Sequence, residues 1–303
     1  MDEAAFDQWF ASYRRELHLH CYRMLGSVTD ADDLVQETMI AAWRGQAGFE
    51  GRSSPRAWLY RIATNQCLNA IRDRKRRPPV APDPPFDPPA PSRWGEVTWL
   101  QPYPEAGGPA ERYEARETVE LAFIAALQRL PARQTAAVVL CDVLEFSRAE
   151  AAAVLGRTEI QVKGLLQRAR TALAADEQLA GQPPAARSRA GSRAGSRAER
   201  ELAQRFAAAF SADDIPAVVA LLTDDAWLAM PPAPHEYHGP AAIAGFLRAS
   251  AAARAGRRFT LVPARYNRQP AFDCSLGPAA AGILVLTVRG DQVSAITRFL
   301  DPR

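Results

Sequence analysis

Cysteine is scarce in this chain: four residues in 303, Cys21, Cys67, Cys141 and Cys274, and no CxxC pair among them. That spacing argues against a zinc or disulfide framework and suits a reducing cytoplasm. Long apolar runs are missing as well. With no stretch of about 20 apolar residues and no apolar N-terminal run of the signal-peptide kind, neither a membrane span nor export is expected. A dominant charge is also lacking, since 37 basic against 34 acidic residues leave a net +3. The total therefore says little about partners, but the distribution says more, because basic residues gather at 52–77, 157–170 and 187–200. The expectation is a cytoplasmic chain with room for two or three domains.

The densest basic cluster is RSSPRAWLYRIATNQCLNAIRDRKRR, Arg52 to Arg77, with eight basic residues against one acid, Asp73. Ser54 can cap a helix and Pro55 suits its first position. Leu59, Ile62, Ala63, Cys67, Ala70 and Ile71 recur at three- and four-residue steps and predict one apolar face. Trp58, Arg61, Asn65, Asn69, Arg72 and Arg76 form another. Asparagine is a poor residue inside a helix, so two in line with arginines ask for a reason. Arg and Asn are side chains that contact phosphates and bases. A solvated surface helix is the plain alternative.

Upstream, Phe6, Trp9, Phe10, Tyr13, Leu17, Cys21, Met24 and Leu25 trace a helical stripe that Gly26 ends. In GSVTDADDLVQETMIAAW, Thr29 and Asp32 have the spacing of a capping box. Ala31, Leu34, Val35, Thr38 and Ala42 are expected to face inward, and Asp30, Asp32, Asp33, Gln36 and Glu37 outward. Part of that acidity complements the helix dipole, and a cluster this dense can also dock on a basic surface.

Taken together, DADDLVQETMIAAWRG followed by FEGRSSPRAWLYRIATNQCLNAIRDRKRR resembles region two of bacterial sigma-70 factors of the extracytoplasmic-function (ECF) group. The resemblance implies that Asp30, Asp32, Asp33, Gln36 and Glu37 bind core RNA polymerase at the β′ clamp helices. It implies that Arg61, Asn65, Asn69, Arg72, Lys75 and Arg76 read the −10 promoter element as single-stranded DNA. Phe49, Arg52 and Ser53 belong to the loop that would hold a flipped base. Trp58 could stack on a base, but packing at the core edge is the reading adopted.

Residues 78–110 are too rich in proline for helix and read as an extended, solvated linker. The family resemblance implies that this linker threads the polymerase active-site and RNA-exit channel; the aromatics of WGEVTWLQPYP also hint that part of it folds onto a partner. Helical pattern resumes at Glu111, breaks at Pro131, and continues into the apolar ARQTAAVVLCDVLEF. Ser147 with Glu150, a Gly156 turn, and Thr158 with Gln161 then spell a helix-turn-helix. Val162, Leu165, Leu166, Ala169 and Leu173 form the second helix's inner stripe. Its placement after region two resembles sigma region four, which implies −35 reading by Arg157, Thr158, Glu159, Gln161, Lys163, Gln167 and Arg168, and a contact with the polymerase β flap. Gly164 inside that helix costs about 1 kcal/mol relative to Ala, which close approach to DNA would explain.

The stretch 176–198 reads as a flexible basic tether. Beyond it, the expected order is two helices, a strand over TDDAWLAMPP, a helix over Pro240–Ala253, a strand over 258–262, and a hairpin turning at Arg289-Gly290-Asp291-Gln292. This order, with ALLTDDAWLAMPPAPHEYHGPAAIAGFL and QPAF, resembles the SnoaL-like polyketide cyclase superfamily, an α+β cone around an apolar pocket. Pocket candidates are His235, Glu236, His238 and Asp273, with Trp227 and Tyr237 lining. His235 and His238 as a metal pair lack further ligand spacing, so loop or structural roles are preferred, and no metal or cofactor is implied.

The fold expected is multidomain. Two all-α sigma domains (1–77 and 111–175) precede an α+β SnoaL-like cone (199–303), with a Pro-rich linker at 78–110. The function expected is an ECF sigma factor, not an enzyme, whose C-terminal domain modulates its activity and has a possible small-molecule or protein partner. The alternative is a cyclase- or isomerase-like enzyme, or a ligand-sensing repressor, fused to a DNA-binding module. A polymerase-docking acidic helix joined to a −10 reader separates these, since neither alternative has a use for it.

Overall fold

The computed structural model describes residues 2–49, 54–76, 86–94, 100–104, 120–179, 196–231 and 233–300, with the side chains of residues 3, 74–76 and 176–179 excepted. Two compact units emerge. The first draws on Met1–Pro79 and Ala122–Ala180, the second on Val80–Ala115 and Gly181–Arg303.

In the first unit, α1 (Glu3–Leu25) is capped by the Asp2 carboxylate and closed by Gly26 in the left-handed region. The predicted stripe is its buried face, with Phe6, Phe10, Leu17, Cys21, Met24 and Leu25 nearly inaccessible. Helix α2 (Val28–Gly45) buries Ala31, Leu34, Val35, Thr38 and Ala42, the five residues expected. Its cap differs from expectation. Ser27, not Thr29, accepts from the Asp30 amide, and the helix starts one residue before Thr29. The Ser27 backbone is extended, the geometry a cap requires.

Helix α3 (Pro55–Arg76) begins where Ser54 Oγ accepts from the Ala57 amide at 3.1 Å. Leu59, Ala63 and Cys67 are fully buried, while Ile62, Ala70 and Ile71 are half-buried. Tyr60 and Thr64 are also fully buried, which the three-and-four spacing of aliphatics did not foretell. Trp58 lies against Phe49 (centroids 4.9 Å) and Trp9 (6.5 Å), so it packs at the core edge.

Four helices complete this unit: α4 (Leu121–Arg129), α5 (Ala132–Val138), which continues as a π turn through Val143, α6 (Arg148–Leu155) and α7 (Glu159–Leu179). The Ser147–Glu150 box is closed in both directions. Gln161 and Thr158 exchange the same pair of bonds, at 3.1 and 3.3 Å. Between α6 and α7, Gly156 adopts φ 59°, a conformation costly for any residue with a Cβ, and turns the chain. Val162, Leu166 and Ala169 fill the space beneath, with Leu165 and Leu173 half-buried. The helical start expected at Glu111 lies outside the described residues.

The second unit is a seven-stranded sheet in the order β1-β3-β2-β7-β6-β5-β4. Its strands are β1 (Arg93–Trp94), β2 (Leu222–Met230), β3 (Ala233–His238), β4 (Phe259–Tyr266), β5 (Gln269–Leu276), β6 (Ala279–Arg289) and β7 (Gln292–Phe299). Three helices join it: α8 (Arg197–Ser211), α9 (Ile215–Val219) and α10 (Pro240–Ala253). Only β2 and β7 pair in parallel; the other neighbours are antiparallel. Phe206, Phe210, Leu228, Tyr237, Phe246, Phe272, Leu284 and Ile296 belong to the core between helices and sheet. Gly282 is obligatory: at φ 96° a Cβ would fall 1.8 Å from the Phe299 carbonyl oxygen.

Two strands escaped the sequence. β3 carries Pro234 and two histidines, and β5 was seen only as QPAF. Part of the proline-rich linker also departs from the solvated spacer expected. Its residues 93–94 are a strand of the sheet, and Leu100 is 5% exposed.

Candidate nucleic-acid and polymerase interfaces

On α2, Asp32, Asp33, Gln36 and Glu37 are exposed together and Asp30 is half-exposed, so the expected acidic face exists as one surface. Asp32 reaches His18 on α1 at 3.1 Å while keeping 63% of its side chain in solvent. Burial lowers the His18 pKa, opposed by that carboxylate. Ile40, 46% exposed, continues this face one turn on and was not singled out from sequence. An isoleucine inside an otherwise acidic stripe was the available signal.

On α3, Arg61, Asn65, Asn69 and Arg72 are all exposed. Arg61, Asn65 and Asn69 have no hydrogen-bond or ionic partner among the described residues; Arg72 touches only Asp73, at 3.4 Å. The helix interior carries no structural debt that these side chains settle. Phe49, expected in the −10 loop, is described and packs on Trp58. Arg52 and Ser53, and the side chains of Lys75 and Arg76, lie outside the described residues.

The same domain hides an ionisable group in its core. His20 is inaccessible, 2.9 Å from Thr64 Oγ1 and edge-on to Tyr60. Burial pushes its pKa down to about 3, reinforced by the charges of Arg23 and Arg56.

Arg157 and Thr158 in the turn before α7, and Glu159, Gln161, Lys163, Gln167 and Arg168 on it, are exposed without exception. The two inward capping bonds leave the helix's first turn rigid and its outer surface clear. Of the three sets of sequence candidates, the members described on α2, α3 and α7 are all at least half-exposed.

The pocket candidates behave differently. His235, Glu236, Tyr237 and His238 lie consecutively on β3, so neighbours point to opposite sides of the sheet. His235 and His238, three apart on a strand, cannot share a metal, and no group of three or more potential ligands occurs among the described residues. Trp227 sits across from His238 on β2. Asp273 is exposed on β5 and accepts from the Tyr266 hydroxyl at 3.0 Å, away from the others in the register. A small depression lined by Phe210, Asp213, Ile215, Val218, Leu247 and Arg254 includes none of them.

What β3 does hold is the linker. Arg93 pairs with Glu236 in the ladder and approaches its carboxylate at 3.5 Å, while Trp94 pairs with His235 and packs against its ring at a tilt, centroids 4.9 Å apart. The Tyr237 hydroxyl donates to the Pro89 carbonyl at 2.8 Å, and Ser92 Oγ accepts from the His238 amide at 3.0 Å. Phe86 packs on Phe246, and Asn267 accepts from the Tyr103 amide at 2.7 Å. Four residues expected near a catalytic pocket are therefore contacts to residues 89–94 of the same chain.

Comparison with known proteins follows this geometry. The Sigma-70 region 2 family matches residues 9–77, Sigma-70 region 4 matches 120–173, and the SnoaL-like domain matches 203–272. The ECF RNA polymerase sigma factor SigG of Mycobacterium tuberculosis is 40% identical over 300 residues, covering 95% of this chain and 79% of SigG. SigM of the same organism is 36% identical over 173 residues, 57% of this chain and 77% of SigM. The crystal structure of Mycobacterium tuberculosis SigJ, an extracytoplasmic function sigma factor, superposes with a TM-score of 0.64 at 22% identity, covering 98% of this chain and 96% of SigJ; it shows that the fold is shared.

A helical promoter-reading unit joined to a SnoaL-like cone defines a transcription factor that works through RNA polymerase rather than a free-standing catalyst. The chain belongs to the ECF RNA polymerase sigma factors, in the subset that carries a C-terminal SnoaL-like domain. RNA polymerase and promoter DNA are the partners that this membership implies. The reading of the chain as an enzyme or repressor with a DNA-binding appendage is not favoured.

Proposed function

We propose a division of labour among the faces just described. The acidic face of α2 (Asp30, Asp32, Asp33, Gln36, Glu37) docks on the β′ clamp helices of core polymerase. The α3 face (Arg61, Asn65, Asn69, Arg72, with Phe49, Arg52, Ser53, Lys75 and Arg76 around it) reads the −10 element. Helix α7 reads the −35 element while its domain meets the β flap. What carries this reading is the row Arg61–Asn65–Asn69 on α3, exposed and without a hydrogen-bond or ionic partner among the described residues. Helix-interior asparagines aligned with a cation have the right chemistry for an unpaired strand.

The C-terminal domain is proposed as a regulator that acts by holding the linker, without catalysis of its own. Supporting this, the would-be acid–base residues Glu236 and His238 are engaged with Arg93 and with each other, at 3.5 and 3.3 Å. A linker gripped at residues 86–94 and at Tyr103 is withheld from the polymerase channel until released. The protein acts in the cytoplasm, where its polymerase is; no described helix is long and apolar enough to cross a membrane.

The test is run-off transcription by full-length protein with purified core polymerase on a promoter library. Asn65→Ala and Asn69→Ala should change −10 preference by about 1–3 kcal/mol per lost contact, leaving −35 preference alone. Equal shifts at both elements would overturn the assignment of α3.

A further inference from the structure

Helix α7 places Val162, Leu166 and Ala169 on its buried line. With about 100° per residue, the line directly opposite runs through Ile160, Gly164, Gln167 and Thr171. Lys163 flanks this ridge on one side, and Gln161 and Arg168 on the other. Two members of the ridge lack any reason inside the protein. Ile160 is 83% exposed, the most accessible of the large apolar side chains described. Gly164 has ordinary helical backbone, and an added Cβ would meet only the Arg168 guanidinium, at 3.4 Å. Glycine weakens a helix interior, yet nothing in the fold requires it here.

An uncharged outermost ridge between cations fits duplex DNA. Lys163 and Arg168, neither ion-paired among the described residues, are placed for phosphates on the two groove walls while the ridge meets base edges. In the major groove the apolar group that a base edge displays is the thymine C5-methyl. We propose that Ile160 is a specificity-determining residue that packs on a thymine methyl of the −35 element, with Gly164 leaving the helix room to seat in the groove. This rests on the −35 reading of α7 given above.

The experiment uses the full-length chain with core polymerase. A −35 element is selected from a randomised library at fixed salt. Each thymine of the selected element is then replaced singly by deoxyuridine, which lacks only the methyl. One replacement should weaken wild-type binding roughly threefold to fivefold, the scale of one buried methyl. Ile160→Ala should bind the thymine and deoxyuridine probes alike, and Ile160→Val should retain part of the discrimination. Gly164→Ala should weaken both probes while the unfolding midpoint holds or rises, a pattern that a structural glycine would not give.

Three results overturn the proposal: a wild-type protein indifferent to every deoxyuridine, a selected element without thymine, or an Ile160→Ala variant that still discriminates. So does an Ile160→Ala defect that appears in core binding without DNA, which would make Ile160 a polymerase contact. Lys163→Ala tells the two levels apart. If it weakens promoter binding while deoxyuridine has no effect, α7 reads the −35 element without Ile160. If it and a scrambled −35 element are both harmless, the −35 reading itself falls.

Discussion

Along α3 and α7 the cations Arg61, Lys163 and Arg168 are exposed and form no ion pair among the described residues, whereas in the SnoaL-like cone Arg254 pairs with Asp213, Arg289 with Asp225, and Arg265 with Glu199 at 2.8 Å. Arg254 is 7% exposed and lies over the Phe259 ring, so its ion pair with Asp213 answers the cost of burying a charge. Exposed cations gathered on one surface repel each other mildly, and that repulsion is relieved by a polyanion from outside. The contrast fits the proposal that one surface is completed by nucleic acid and polymerase and the other by the chain itself. Even the edge of the cone's sheet is covered internally, because β1 of the linker adds to β3.

The strongest way to break this comparison is to reverse the α2 face. Asp32→Lys with Asp33→Lys should weaken core-polymerase binding by roughly 2–4 kcal/mol, since like charges would then face the docking partner. Folding stability should change by less than about 1 kcal/mol, because both side chains are exposed and the His18 contact is solvent-screened. A pull-down with unchanged polymerase affinity would place the docking surface elsewhere.

Acid offers a second, smaller contrast. His20 is buried beside the cations Arg23 and Arg56, against Thr64 and Tyr60, and the Glu16 carboxylate one turn earlier on α1 is engaged by Arg56 at 3.1 Å and by the Tyr60 hydroxyl at 3.3 Å. Its folded pKa, about 3, is depressed below the ordinary 6.5. The unfolded chain therefore takes up the proton first, and stability present above pH 6.5 is lost as pH falls toward 3. Between pH 6.5 and pH 5 the loss should be about 2 kcal/mol in the first unit. Hydrogen exchange in α1 and α3, corrected for intrinsic rates, should show it, and His20→Gln should flatten the dependence. An unaltered slope in that variant would mean another group governs acid sensitivity.

Sequence served the two units unequally, for physical reasons. Amphipathic helices announce themselves: the five buried residues of α2, both capping boxes around Gly156 and the outward set on α7 were all readable from period and cap chemistry. The true cap of α2 was missed because Ser27 and Thr29 are both competent, and only the backbone decides which is extended. Strands β3 and β5 were hidden because Pro234 and Pro270 mimic loop, each standing at the second residue of its strand, near the start where proline is best tolerated. The misjudged residues on β3 show the deeper limit. His235, Glu236, Tyr237 and His238 have catalytic chemistry by type, and nothing in their own segment says that a stretch some 140 residues earlier occupies them. Trp94, conspicuous in a polar linker, was the one local sign of that docking.

The finest test of the comparison is a single oxygen atom. The Tyr237 ring is buried against Phe246 at 4.8 Å, and burial raises its hydroxyl pKa, so it donates to Pro89 throughout the physiological range. Tyr237→Phe keeps the ring and the packing while leaving the Pro89 carbonyl without this donor. The cost to linker docking should be about 1 kcal/mol, the net worth of a neutral hydrogen bond. Limited proteolysis between residues 86 and 104 should then speed up about fivefold, while the cone's own unfolding midpoint shifts little. Trp94→Ala, which removes the ring contact with His235, should act in the same direction and somewhat further. If docking of the linker restrains the sigma factor, Tyr237→Phe should raise run-off transcription, and truncation after Ala175 should raise it more. Faster proteolysis with unchanged transcription would leave the clasp as a structural element of the cone and remove it from the regulatory scheme. Unchanged proteolysis would show that the Tyr237–Pro89 bond contributes nothing to holding the linker, and would shift the weight to the β1–β3 ladder and the Phe86 contact.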